Sequence, residues 1–373
     1  MSLRVLLAPD SFKESMTAAE AAEAMRQGVL DVLPEAQISE RPVSDGGEGF
    51  LDVVADDQTT IETTLARNAL GDEVEVQWAR SGVQAFIEVA RVIGLEAIAA
   101  EDRTIMASDT RGVGQVIAAA LDADCLQIVI GLGGSATCDG GAGMLAQLGV
   151  RFLDAAGLVL EPTPAGLMGL SQVDREHLDP RLANVQLIVA SDVTNPLTGP
   201  AGAAATFGPQ KGATDDQVVQ LDKLLTNLAF LFEGEAEEAN SRVPGAGAAG
   251  GLGWALLMLG AQIRPGVQVV AERTGLAATV ADHDLVLTGE GSMDGQTLGG
   301  KLVSGVAALA ASHQVPCHVL AGRVGEVDPA AMSAAGITSA TQITPEGTPL
   351  AEALRQGPAN LRQATADLLR RLG

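Results

Sequence analysis

The chain has 373 residues, 44 of them glycine, and a formal charge of −24 at pH 7. That length leaves room for two domains of ordinary size. The acidity, with no basic stripe, argues against a nucleic-acid binder, and no apolar run approaches the roughly 20 residues of a membrane span.

The first apolar run, RVLLA (4–8), reads as a buried strand, and Thr17 with Glu20 three residues on forms a capping box for a helix over 17–30. The segment Asp10 to Lys13 is therefore the loop between them. The N-terminal run is too short for a signal segment, so a cytoplasmic protein is expected. SDGGEG (44–49) follows, and the composition shifts near residues 60 to 70. LQIVI (126–130) is the next strand, leading into GLGGSATCDGGAGM (131–144) and a helix from Gly140 onward. Glycine gives up more conformational entropy on folding than any other residue, so such a cluster marks a sharp turn or a close approach. Strand, glycine-rich turn and helix in that order set free N–H groups and the positive end of a helix dipole at one place, a site for phosphate or carboxylate. Tight strand-to-helix packing explains the same glycines.

VQLIVA (185–190) exits into SDVTNPLTG. The middle of the chain then carries an acidic helix over 232–240, the glycine-rich PGAGAAGGLG (244–253) and a Pro/Gly hinge at 264–266. DLVLT (284–288) exits into GEGSMDGQT, and CHVLA (317–321) into GRVG. LRQATADLLRRLG closes the chain as an amphipathic helix. Short apolar strands alternating with helices are the pattern of parallel βα units, whose ligands bind beyond the carboxyl ends of the strands. All five exits are rich in Gly, Ser, Thr, Asp or a cation.

Several residues at these exits carry chemistry. Asp45, Glu48, Glu290 and Asp294 are oxygen donors suited to Mg²⁺, or they satisfy their own turns. Asp192 can accept a hydroxyl proton or cap its turn. Lys13, Lys211 and Lys301 each lie beside glycine or polar loop residues, where a lysine serves as a point charge for phosphate. Gly131, Gly133 and Ala136, with Asp154 about 20 residues on, also fit a dinucleotide fingerprint. Cys125, Cys138 and Cys317 lack metal-ligand spacing, and no histidine stands in a nucleophile motif.

APDSFKES, VSDGGEG, GLGGSATCDGGAGM, SDVTNPLTGPAGAAATFGPQKGA, VPGAGAAGGLG and TGEGSMDGQTLGGK occur in the order seen in the bacterial glycerate kinase family. The class resembled is type I, with the glyoxylate- and galactarate-pathway enzymes, and the resemblance covers essentially the whole chain. It implies transfer of the γ-phosphoryl group of ATP to D-glycerate, with Mg²⁺, giving 2-phosphoglycerate. A 3-phosphoglycerate-forming kinase and an NAD-dependent hydroxyacid dehydrogenase, the latter suggested by the fingerprint, are the alternatives, with a non-catalytic binder of small acids or nucleotides behind them.

The resemblance also implies a two-domain α/β protein. A Rossmann-like parallel α/β domain from both chain ends (1–65 and 270–373) would pack with a second α/β domain (66–269), the active site lying in the cleft between them. Expected partners are ATP and D-glycerate, with no nucleic acid and no membrane, and a homodimer is allowed for. Carried over by position, Asp10, Ser11 and Lys13 fall on the N-terminal loop, and Gly133, Gly134, Ser135, Thr137 and Asp139 on the glycine-rich loop. Asp192, Asn195, Thr198, Gln210 and Lys211 fall on the third motif, and Glu290, Asp294 and Gln296 on the last. The roles expected are catalysis by Asp192 and Lys13, metal binding by Asp45, Glu290 and Asp294, and substrate or phosphate binding by Asp10, Ser11, Gly133, Gly134, Ser135, Thr137, Asn195, Thr198, Lys211 and Gln296. Arg111, Lys211 and the backbone near Ser135 are candidates for the glycerate carboxylate. The chain departs from many members in having Ser292 for an arginine, Cys138 for an asparagine and Gly299 for a histidine; Arg323 or Lys301 is then the candidate for the missing charge.

Overall fold

The apolar runs RVLLA, DLVLT and CHVLA become the three central strands of one five-stranded parallel sheet. Its spatial order is Ser339–Gln342, Cys317–Val324, Leu285–Met293, Arg4–Leu7, Gln37–Glu40. The computed structural model describes residues 2–234, 239–295 and 302–373. Its chain divides into two compact units, one of Met1–Asp45, Asp52–Val54 and Pro265–Gly373, the other of Gly46–Leu51 and Ala55–Arg264.

In the unit built from the chain ends, helices Ala18–Leu30 and Leu350–Leu372 pack on each other. Contact is close at Gly28, where a Cβ would stand 2.4 Å from the Arg362 carbonyl oxygen. The capping box forms as the spacing predicts: Glu20 N–H donates to Thr17 Oγ1 at 3.2 Å, and Thr17 N–H to Glu20 Oε2 at 2.8 Å. Val5, Leu7, Met25, Leu285, Leu287 and Leu361 fill the core between sheet and helices. Burial of such side chains is the main term holding the layers together, about 1.5–3 kcal/mol each.

The other unit holds a six-stranded sheet in the order Gln262–Arg264, Gln186–Ala190, Gln127–Gly131, Gln84–Glu88, Glu73–Ser81, Thr60–Arg67. The first four strands are mutually parallel, but the last two pairings are antiparallel, so this sheet is mixed. Helix Asp215–Glu233 ends at Gly234 in the left-handed region (φ 67°), so the acidic helix expected over 232–240 is instead the last turn of a longer one as far as the described residues go. Helix Ala248–Met258 is broken near its start, where Ala249, Gly250 and Gly251 all have positive φ (51°, 69° and 93°). No helix among the described residues is long and apolar enough to cross a membrane.

Candidate active site

The glycine-rich loop leaves the Gln127–Gly131 strand beside the neighbouring Gln186–Ala190 strand, Gly131 in register with Ala190 and Leu132 N–H donating to the Ala190 carbonyl. Residues 132–135 and 191–195 thus emerge at the same end of adjacent parallel strands. Most of its glycines are fixed by protein neighbours. A Cβ on Gly131 would stand 2.5 Å from the Gly46 carbonyl oxygen, and one on Gly133 2.3 Å from Gly47 Cα. Gly140 meets Leu228 and Gly141 meets Ala255. The broken helix start supports the loop from behind: a Cβ on Gly250 would come within 2.0 Å of the Thr137 carbonyl oxygen, and Gly140 N–H donates to the Gly250 carbonyl at 3.0 Å.

Lys211 is the electrostatic centre of this unit's loops. Its side chain is buried, and Nζ donates to Ser135 Oγ at 2.9 Å and to the Thr137 carbonyl at 2.7 Å. Burial pushes its ammonium down to about 8, against the opposing charges of Cys138 and Asp139. An ammonium has three N–H donors; two are used here, and the third is available to a ligand. Ser135 and Thr137 are buried beside it, and the Thr137 hydroxyl has no hydrogen-bond partner among the described residues.

Asp139 is fully buried and holds the loop to its helix, accepting from Thr110 N–H (2.9 Å), Thr110 Oγ1 (2.7 Å), Gly141 N–H (3.1 Å) and Gly143 N–H (2.9 Å). Burial and the nearby Asp109 push its carboxyl up to about 6, while the hydrogen bonds from Gly143 and Thr110 pull the other way. Its part is to anchor the loop.

Asp192 stands two residues beyond the Gln186–Ala190 strand, with Oδ2 shielded from solvent. Asn195 is occupied within its own loop, Nδ2 donating to the Ala201 carbonyl and Thr206 Oγ1. Thr198 packs against Gly202 in the same loop, and the Gln210 carbonyl accepts from Arg103 Nη1. Arg111 forms ion pairs with Asp109 at 2.7 Å and Glu161 at 3.0 Å, in a separate cavity of about 370 Å³ lined also by Gln147, Arg151 and Phe152. Of the charged candidates for the carboxylate, Lys211 is the one beside Ser135. Asp154 forms a hairpin turn, Oδ1 accepting from Ala156 and Leu158 N–H, which removes the ribose-binding acid from the dinucleotide fingerprint.

In the unit built from the chain ends, Asp10, Ser11 and Lys13 follow the Arg4–Leu7 strand, with Asp10 N–H donating to the Gly289 carbonyl. Burial and the charge of Asp45, then that of Glu290, push the Asp10 carboxyl well above the ordinary carboxylate range, opposed by the Ser11 N–H (2.7 Å) and Lys13. Asp10, Lys13, Asp45 and Glu290 are therefore electrostatic neighbours, brought together because their strands are adjacent. Lys13 and Asp294 are exposed, and Ser292 is in register with Arg323 on the next strand. Gln296, Gly299 and Lys301 lie outside the described residues. Among the described residues, no group of three or more His, Cys, Asp or Glu side chains is gathered to hold a metal.

Glu88 is a residue that strand and motif reading passed over. It is buried at the end of the Gln84–Glu88 strand and accepts from Gly49 N–H (3.1 Å), Leu51 N–H (2.9 Å) and Arg91 Nε (3.3 Å). It pins the SDGGEG loop, whose Glu48 carboxylate lies so near Gly134 that a Cβ there would stand 1.9 Å from Oε1. The signal was a lone carboxylate inside the apolar run FIEVA, since a charge is buried only with partners.

The glycerate kinase family model matches residues 5–373. A glycerate kinase of Bacillus subtilis (strain 168) is 42% identical over 370 residues, covering 98% of this chain and 97% of that protein. The glycerate 2-kinase of Escherichia coli (strain K12) is 38% identical, with the same coverage. A crystal structure assigned to glycerate kinase 2 of Salmonella typhimurium LT2 superposes with a TM-score of 0.82 at 38% identity, covering 100% of this chain and 98% of that one. Whole-length agreement with these proteins, on an α/β frame whose strand exits carry the polar loops, makes this chain a member of the glycerate kinase family.

Proposed function

We propose that this chain transfers the γ-phosphoryl group of ATP to D-glycerate, giving 2-phosphoglycerate. The observation that carries the reading is Lys211, a buried cation fixed by Ser135 and Thr137 with one donor left, in a chain of net charge −24. Such a residue suits a small carboxylate that the rest of the surface repels. Lys211 and Ser135 would bind the glycerate carboxylate, fixing the acceptor end to end so that one hydroxyl is presented to phosphate. Asp192, leaving the neighbouring strand, would accept the proton of that hydroxyl. Lys13 would meet the transferred phosphate.

Asp45 and Glu290 each place negative charge beside Asp10, which favours a cation on this face, and carboxylate oxygens suit Mg²⁺. Asp45, Glu290 and Asp294 are the residues that would hold it. Bound there, Mg²⁺ would supply neutralisation of the phosphate charge of ATP. Arg323, beside Ser292, is the cation available on that face in place of the arginine many relatives have. The terminal unit would then be the Rossmann-like one that the resemblance implies.

Purified protein mixed with Mg-ATP and D-glycerate tests it, with ADP release followed alongside phosphorus NMR of the product. A 2-phosphoglycerate resonance is expected. A 3-phosphoglycerate resonance would overturn the regiochemistry, and no ADP above background from folded protein would overturn the reading itself.

A further inference from the structure

Three of the four edges of the two large sheets are strands of three or four residues, but the fourth, Thr60–Arg67, runs for eight. An edge strand offers a row of unused N–H and C=O groups, and natural proteins usually blunt it with Lys, Pro or a bulge. From Thr60 to Ala66 this one has none of these. Asn68 N–H reaches across to the Asp72 carbonyl (2.8 Å), continuing the ladder in which Arg67 faces Glu73. Hydrogen-bonded positions alternate along an antiparallel pair, so the even-numbered residues turn their backbone groups inward and Ile61, Thr63, Leu65 and Arg67 turn theirs outward. The molecule covers the last of these itself: Arg67 N–H donates to Gln115 Oε1 at 2.8 Å, and its carbonyl lies against Gly112. No hydrogen bond from another segment of the described residues covers the outward groups of Ile61, Thr63 and Leu65.

We propose that this edge is a dimer interface, in which two copies pair antiparallel about a two-fold axis at Thr63. With Thr63 facing the partner's Thr63, Ile61 of each copy stands opposite the partner's Leu65 on the same sheet face, and all three outward positions pair in one register. Ile61 and Leu65 are 46% and 64% exposed, and this pairing covers both. The charge pattern admits a second copy of so acidic a chain at this place: Glu62 is the only charge from Thr60 to Ala66, and Arg80 neutralises it at 3.1 Å. Edge pairing buries little area, so a micromolar dissociation constant is expected rather than a nanomolar one.

Sedimentation velocity from about 1 to 100 µM tests this, with unfolding curves as the check on folding. Thr63→Pro removes an outward N–H and no ladder bond within the chain. It should weaken dimerisation by roughly tenfold or more, about 1.4 kcal/mol, and leave the fold intact. Ile61→Lys should weaken it likewise, and Ile61→Lys with Leu65→Glu should restore it, because the new charges meet only across the axis. Within one chain they are four strand residues apart, roughly 13 Å. A wild type that stays monomeric at 100 µM, a dimer that survives Thr63→Pro, or a double variant no tighter than Ile61→Lys alone would overturn the proposal.

Discussion

Gly133 and Gly47 meet backbone to backbone: a Cβ on Gly133 would stand 2.3 Å from the Cα of Gly47, where no side chain is present to swing aside. The Gly133→Ala variant should therefore lose roughly 2–3 kcal/mol of stability through overpacking. Gly157, also glycine in a turn but with open space about its Cβ position and φ of 80°, should lose only about 1–2 kcal/mol on changing to alanine. Paired urea titrations give the comparison. Equal losses would mean that the motif glycines serve conformation and not close approach.

Asp192→Asn keeps the shape of the side chain and removes its basicity. The expected outcome is a fall in kcat of roughly 10²-fold or more with little change in stability, read by steady-state kinetics beside a thermal melt. A folded variant with near-normal kcat takes Asp192 out of the proton-accepting role.

Lys211 links stability and activity to pH in opposite senses. Below about 8 its ammonium is charged in the folded and unfolded chain alike, and the desolvation cost is carried in full. From about 8 to 10.5 the unfolded chain binds the additional proton, so the stability contributed at this site rises with pH. Binding of an anion by the ammonium runs the other way, and kcat/KM for glycerate should decline by up to roughly tenfold per unit above about pH 8. Lys211→Met should be slow and without this decline between about pH 7 and 9.5. A wild-type profile that tracks the variant's across that range counts against the assigned role.

Asp139→Asn exchanges one carboxylate oxygen for an amide nitrogen that cannot accept. Whichever way the amide lies, at least one of the donors from Thr110, Gly141 and Gly143 is stranded in the interior. A loss of about 2 kcal/mol is expected, measurable by chemical denaturation. Unchanged stability would show that this carboxyl is not the anchor of the loop.

Glu290→Gln should raise the Mg²⁺ concentration needed for half-maximal activity by roughly threefold to tenfold, with chelation abolishing turnover in both proteins. Magnesium titrations at saturating ATP and glycerate supply the check, and an unshifted midpoint removes Glu290 from the metal's surroundings.

What could be read from the sequence follows from how loudly each feature is encoded. Apolar runs such as VLL at 5–7 and IVI at 128–130, buried on both faces, stand out as strands, and the Thr17–Glu20 box marks its helix within a residue. Thr60–Arg67 is exposed or half-buried everywhere but at Ala66, and Glu73–Ser81 mixes exposed, half-buried and buried positions, so no apolar run announces them, and the sheet they make mixed was read as parallel units. The glycine loop was legible as a place of close approach, but not what approaches it: Gly47, Glu48 and Gly250 are distant in sequence, and only the fold brings them there. Glu88 shows the same limit, because a buried carboxylate is explained by donors at Gly49 and Leu51 about 37 to 39 residues away.

The pairing of Arg4–Leu7 with Leu285–Met293 has a consequence for how the polypeptide is made. Val5 is in register with Leu285, so the Arg4–Leu7 strand waits for about 280 more residues to be made before its central partner exists. At roughly 5–20 residues per second that is about a quarter of a minute to a minute. Gln37–Glu40 can line its other side meanwhile, but the apolar face of Ala18–Leu30 has no Leu350–Leu372 to cover it until that helix has been made in turn. The segment from 55 to 264 carries all six strands of its own sheet and can close while the unit begun before it is still unfinished.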